Sequence, residues 1–293
     1  MTYQQFYTIF RPLESRPDSY SNWYYQGNAL FEWERYEEAL YSYDRALEYY
    51  PDDYWTWYRR AKVLEALDRY SEAFESYSQA ASLDRKDYWA WYSAGCVAQE
   101  ALREYETAIA CFHQSLEIRP NDYWCWYRQG ECLQSLGQYK EAIASYEKAL
   151  TLHPNDYWSW YRQGDTYQSW GQFQTALSCY DKALEIKPND YWCWYQKGAT
   201  LRQLGELEEA IAAYQNALQI DPKDDFTWYR QGCCYAVLGD DESALNCLQE
   251  AVNLYPNQYL RLAQQDSDLE SLRGNQRFQE LLSQLNSEED NNA

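Results

Sequence analysis

One hexapeptide, Asp-Tyr-Trp-x-Trp-Tyr, recurs through the chain at an almost fixed period. It runs Asp53 to Tyr58, Asp87 to Tyr92, Asp122 to Tyr127, Asp156 to Tyr161 and Asp190 to Tyr195, so successive copies lie 34, 35, 34 and 34 residues apart. Weaker copies stand one period earlier (Tyr20-Ser21-Asn22-Trp23-Tyr24) and one period later (Asp225-Phe226-Thr227-Trp228-Tyr229). A period of this length marks a repeat array, in which each unit buries its apolar face only against its neighbours. The chain therefore reads as one array and not as the two ordinary domains that 293 residues would otherwise suggest.

Each repeat has the same grammar. The Asp that ends one repeat is an N-cap for the helix that starts the next. A first helix of roughly 13 residues begins at the Tyr-Trp pair. Gly137, Gly171, Gly205 and Gly239 supply a left-handed turn at its end. A second helix carries Ala-x-x-x-Tyr-x-x-Ala, as in Ala142, Tyr146 and Ala149, and Pro51, Pro120, Pro154, Pro188, Pro222 and Pro256 close the unit. The repeats are 20–53, 54–87, 88–122, 123–156, 157–190, 191–224 and 225–258. The extra residue of the third falls in Gln99–Tyr105, where a loop can absorb it. Residues 1–19 form a leader that can hold a degenerate half-repeat. Residues 259–285 read as short amphipathic helices capping the last unit, and 286–293 as a disordered tail.

This grammar resembles the tetratricopeptide repeat (TPR) family. The residues that carry the resemblance are Trp160, Gly164, Tyr167, Ala176, Tyr180, Ala183 and Pro188 in the fifth repeat. In the sixth they are Trp194, Gly198, Leu201, Ala210, Tyr214, Ala217 and Pro222. The resemblance implies an all-α right-handed superhelix of seven helix-turn-helix repeats, with the first helices lining an inner wall. The C-terminal ending looks like that of bacterial, and in particular cyanobacterial, TPR proteins. Chaperone-binding members grip a C-terminal carboxylate with Lys and Asn on this wall. Here the matching positions hold Tyr127, Tyr161, Trp158 and Trp192, so that clamp is not preserved.

At 100° per residue, Trp160, Gly164 and Tyr167 share the arc toward the second helix, while Trp158 and Tyr161 lie on a different one. The second Trp of each motif (Trp57, Trp91, Trp126, Trp160, Trp194, and Trp23 and Trp228) is expected in the core. The first Trp and last Tyr are expected on the inner wall: Trp55/Tyr58, Trp89/Tyr92, Trp124/Tyr127, Trp158/Tyr161 and Trp192/Tyr195, continued by Phe226/Tyr229. These rings either face a ligand or pack between adjacent first helices and stiffen the stack. Arg128 and Arg162, which follow the motif, would lie beside the wall, bonding a bound segment or pairing within the array.

Composition narrows the partner. A net charge of -21 repels phosphate backbones and anionic lipid, so nucleic acid and membrane surfaces are disfavoured. No apolar run can span a bilayer, and Met1 to Phe10 lack the features of a signal peptide. Seven of the nine cysteines fall in small-residue columns: Cys125 and Cys193, for example, alternate with Thr56, Ala90 and Ser159. They fit a reducing cytoplasm rather than zinc or thiol chemistry. The recurrent Asp could be an acidic ladder, but capping explains every copy. No nucleophile, acid–base set, metal or cofactor motif stands out, and no enzyme is expected. The expectation is a cytoplasmic scaffold or adaptor whose aromatic groove holds an apolar or basic protein segment. An assembly factor for a membrane or photosynthetic complex, a sensor of small aromatic or cationic ligands, and a homo-oligomer burying its own wall are the alternatives.

Overall fold

In a computed structural model the structure describes residues 19–84 and 86–291, with side chains as far as 283. The leader, apart from Ser19, lies outside the described residues, as do the last two of the tail. All regular structure among the described residues is helical. The array is of the α-solenoid kind and falls into two compact units divided between Leu152 and His153.

The first unit holds four hairpins: α1 (Tyr20–Glu32) with α2 (Tyr36–Tyr49), α3 (Tyr54–Ala66) with α4 (Tyr70–Leu83), α5 (Tyr88–Val97) with α6 (Tyr105–Ile118), and α7 (Tyr123–Ser135) with α8 (Tyr139–Leu152). The second holds three, α9 (Tyr157–Ser169) with α10 (Phe173–Ile186), α11 (Tyr191–Leu204) with α12 (Leu207–Ile220), and α13 (Asp225–Leu238) with α14 (Asp241–Leu254). Within each unit every helix packs on its predecessor and its successor.

The local causes are the ones the sequence names. Each recurrent Asp accepts the amide of the residue three on, from Asp156 to Ser159 at 2.6 Å up to Asp87 to Ala90 at 3.1 Å. One orphan donor per helix start is thereby satisfied. Gly205 takes φ 80° and ends α11. The same left-handed turn is made without glycine by Glu34, Asp68 and Arg103, at φ 57–59°. Gly164 lets the hairpin close, because a Cβ there would stand 2.7 Å from the Tyr180 ring.

The third repeat absorbs its extra residue differently from the expected loop. Ala98–Leu102 continue α5 as a π-helical turn. Glu104 N–H closes that turn on the Ala98 carbonyl at 2.8 Å. An inserted residue inside a packed helix is accommodated by one wider turn without breaking the backbone ladder.

The cap begins at Pro256, with α15 (Pro256–Gln265), a 3-10 segment (Ser267–Gly274) and α16 (Gln276–Asn291). Leu269, Leu272 and Phe278 are fully buried against Tyr229 and Leu248 of the last hairpin. Backbone helix extends to Asn291, through positions 286–291 that the sequence pattern places in a tail.

Candidate partner-binding surface

Three rings open five of the seven first helices and pack on one another in a fixed pattern. In α9, Tyr157 meets Trp158 edge-on at 5.0 Å and stacks on Tyr161 at 5.9 Å, and Trp158 meets Tyr161 edge-on at 6.4 Å. The same triangle occurs at Tyr54/Trp55/Tyr58, Tyr88/Trp89/Tyr92, Tyr123/Trp124/Tyr127 and Tyr191/Trp192/Tyr195. The helix period makes this unavoidable, since positions 1, 2 and 5 are mutual neighbours on one side of the turn.

Exposure separates these rings. Trp55, Trp89, Trp124, Trp158 and Trp192 are 51–61% exposed, and Phe226 is 37% exposed. The last tyrosines are not. Tyr127, Tyr161 and Tyr229 are buried and Tyr58, Tyr92 and Tyr195 half-buried. Each packs on the second helix of its own hairpin, or on the cap. Tyr58 meets Tyr77, Tyr161 meets Tyr180 and Tyr229 meets Tyr259, with centroids 5.2, 6.0 and 5.2 Å apart.

The second Trp departs from its expected place. Only Trp23 is buried; the other six are half-buried at the edge of the core. In five of the six a hydrogen bond holds the indole at the surface. Trp57, Trp126, Trp160, Trp194 and Trp228 donate Nε1–H to the carbonyl of the proline six residues earlier, at 2.7–3.0 Å. This ring latches the inter-repeat turn while its inner edge packs. The residue between the tryptophans is the deeper one, for Thr56, Ala90, Cys125, Ser159, Cys193 and Thr227 are all fully buried.

The arginines beside the motif are engaged within the array. Arg128 donates to the Tyr92 hydroxyl and to Gln99 Oε1, each at 3.2 Å, and to Glu100 at 2.6 Å. Arg162 lies 3.8 Å from Asp165. Arg230 stacks 4.8 Å over Phe226 and covers part of that ring.

Tetratricopeptide repeat models match residues 123–156, 157–190 and 191–224, and further TPR models match 27–68, 56–87, 90–122 and 226–258. The chain belongs to the TPR family. No curated protein matches it in sequence. Among solved structures it is similar to YrrB, a TPR protein described as having an unusual peptide-binding site. That match has 25% identity over 65% of this chain and 99% of that one, at a TM-score of 0.56. MamA from Desulfovibrio magneticus gives 24% identity, 60% and 97% coverage and a TM-score of 0.54. The C-terminal part of a TPR protein from Cytophaga hutchinsonii gives 17% identity, 85% and 99% coverage and 0.69.

Several other chemistry-bearing groups of this TPR array are engaged in packing or pairing. Burial pushes the thiols of Cys96, Cys111 and Cys234 up to about 11, and those of Cys125, Cys132 and Cys247 to about 12. A thiol so raised is little ionised at neutral pH, and the thiolate is the nucleophilic form. Cys233, Asp266 and Asp268 bring three ligand atoms within 4.8 Å. Asp268 is ion-paired with Arg202, and Asp266 accepts the Tyr229 hydroxyl at 2.9 Å. These contacts tie the cap to α11 and α13. An open cavity of about 400 Å³, which sequence reasoning missed, lies among Gln215, Gln219, Trp228, Gln231, Tyr235 and Asn246. Its side chains come from α12, α13 and α14, so no local motif announces it. No helix among the described residues is long and apolar enough to cross a membrane.

Proposed function

We propose that this chain is a non-enzymatic scaffold that holds a partner protein segment against the exposed first tryptophans, Trp55, Trp89, Trp124, Trp158 and Trp192. One observation carries the reading. Within Tyr-Trp-x-Trp-Tyr the middle residue is buried, the second Trp latches a turn and the last Tyr packs on the second helix, yet the first Trp remains more than half exposed in all five copies. Folding alone gives no reason for five exposed indoles at one position. Ser21 fills the same position in the first repeat and is exposed. Rigid aromatic rings are efficient anchors, because they offer large contact area at little conformational cost.

The peptide-binding site described for YrrB supports a protein or peptide as the occupant. The charge of -21 favours a neutral or basic segment over an acidic one. An odd number of cysteines, nine, in a long chain favours a reducing compartment, the cytoplasm.

The test is affinity capture from a cell lysate with wild type and with a variant combining Trp124→Ala, Trp158→Ala and Trp192→Ala, both checked by circular dichroism. The expected result is a folded variant that loses the partners wild type captures. A folded variant that keeps every partner rejects the proposal. An unfolded variant assigns the rings to packing and rejects it too.

A further inference from the structure

In three repeats the side chain at the position just before the inter-repeat turn lies over the opening tyrosine of its own repeat. Tyr50 meets Tyr20 edge-on at 5.8 Å. The Arg119 guanidinium lies 4.5 Å from the Tyr88 ring centroid and 5.8 Å from that of Trp89. Lys187 Nζ lies 5.1 Å from Tyr157 and 5.9 Å from Trp158. The chain thus sets a cation of its own on two of its Tyr-Trp pairs. The two tyrosines under a cation are buried, Tyr88 to 3% and Tyr157 to 8%, while Tyr20 under Tyr50 is half-buried.

The same position in the second and sixth repeats holds Asp84 and Asp221. A carboxylate cannot take the place of the cation, because the face of an aromatic ring is itself electronegative. Each aspartate folds back onto its turn instead, accepting the backbone amides of Lys86 and Lys223 at 3.0 Å. Tyr54 and Tyr191 are left only half-buried. Their tryptophans, Trp55 at 56% and Trp192 at 61%, are the most exposed of the five. Among the described residues no cation lies over either pair.

We infer that the Tyr54–Trp55 and Tyr191–Trp192 pairs are acceptor sites for a lysine or arginine side chain of the partner segment, with Asp84 and Asp221 as the adjacent counter-charges. Arg119 and Lys187 display the same chemistry from within the chain, and the Trp89 and Trp158 pairs are therefore already filled. The inference rests on the scaffold reading above and specifies which of its rings take charge.

The test is an indole N–H spectrum of protein labelled with ¹⁵N-tryptophan, titrated with N-acetyl-arginine methylamide, with the uncharged citrulline analogue as control. Trp55→Phe, Trp89→Phe, Trp158→Phe and Trp192→Phe assign the signals. Trp55 and Trp192 are expected to shift with the arginine probe and not with citrulline, while Trp89 and Trp158 stay fixed. Arg119→Ala and Lys187→Ala should make Trp89 and Trp158 respond in turn. Asp84→Lys and Asp221→Lys should weaken binding at Trp55 and Trp192 by about fivefold, the scale of one exposed cation–π contact. Equal response of all four rings, or equal response to citrulline, overturns the inference. If partner capture depends on the tryptophans while Trp55 and Trp192 ignore the arginine probe, the scaffold reading stands and this one falls.

Discussion

The Tyr180 hydroxyl donates to Asp165 Oδ1 at 2.8 Å, across the hairpin of the fifth repeat. Burial holds the Asp165 carboxyl up at about 6, although the Tyr180 bond and nearby Arg162 both pull it down. Its folded value exceeds the unfolded value of about 3.9, so the folded state takes up the proton more readily. The stability it contributes is full below about pH 4, is lost between about pH 4 and 6, and stays lost above. Asn28 fills this column in the first repeat and accepts the Tyr43 hydroxyl at 2.7 Å. Asp165→Asn is therefore expected to match wild type near pH 4 and to exceed it by about 1–3 kcal/mol at pH 7.5. Urea melts across pH 4–8 read this difference; a constant gap at every pH contradicts it.

The indole latch makes a second expectation. Trp160→Phe keeps most of the ring but removes the donor to the Pro154 carbonyl, 2.9 Å away. The cost should be about 0.5–1.5 kcal/mol. Thermal melts of wild type and Trp160→Phe read this cost, and an unchanged midpoint contradicts it.

Glu34 sits at φ 59° in the turn where four later repeats place glycine. A side chain in this conformation costs about 1–2 kcal/mol relative to glycine. Glu34→Gly should raise stability by about 0.5–1 kcal/mol once the added freedom of the unfolded glycine is offset. A melt that shows destabilisation argues that Glu34 makes a contact worth more than the strain.

Trp158 and Tyr161 belong to one helix turn and should answer alanine unequally. Tyr161 is 8% exposed and contacts Tyr180, so Tyr161→Ala should cost about 3–5 kcal/mol. Trp158 is 51% exposed, and Trp158→Ala should cost about 1–2 kcal/mol through its lost edge contacts alone. Equal losses in denaturant melts would mean that the exposed ring stiffens the stack.

Much of the fold is legible in the chain because capping, glycine turns and proline stops are local devices. Asp156, Gly171 and Pro188 each act within a few residues of themselves. The small residue between the tryptophans is also legible, since only a fully buried column swaps Thr, Ala, Cys and Ser so freely. The fates of Tyr161 and Trp160 are not. A helical wheel places both by angle alone, but Tyr161 is drawn in by Tyr180 from another helix, and Trp160 is held out by the Pro154 carbonyl. The π turn at Ala98–Leu102 is hidden for the same reason. Sequence shows that a residue is added, while packing on both sides decides that the helix must widen.

Hydroxyl-radical footprinting of the free protein and of its complex with a captured partner tests the central claim most directly. The account predicts that oxidation of Trp55, Trp89, Trp124, Trp158 and Trp192 is high in the free protein and falls on binding for the rings the segment reaches. The buried Tyr161 and Tyr229 should be slow in both states. Unchanged oxidation of all five tryptophans in the complex would contradict it.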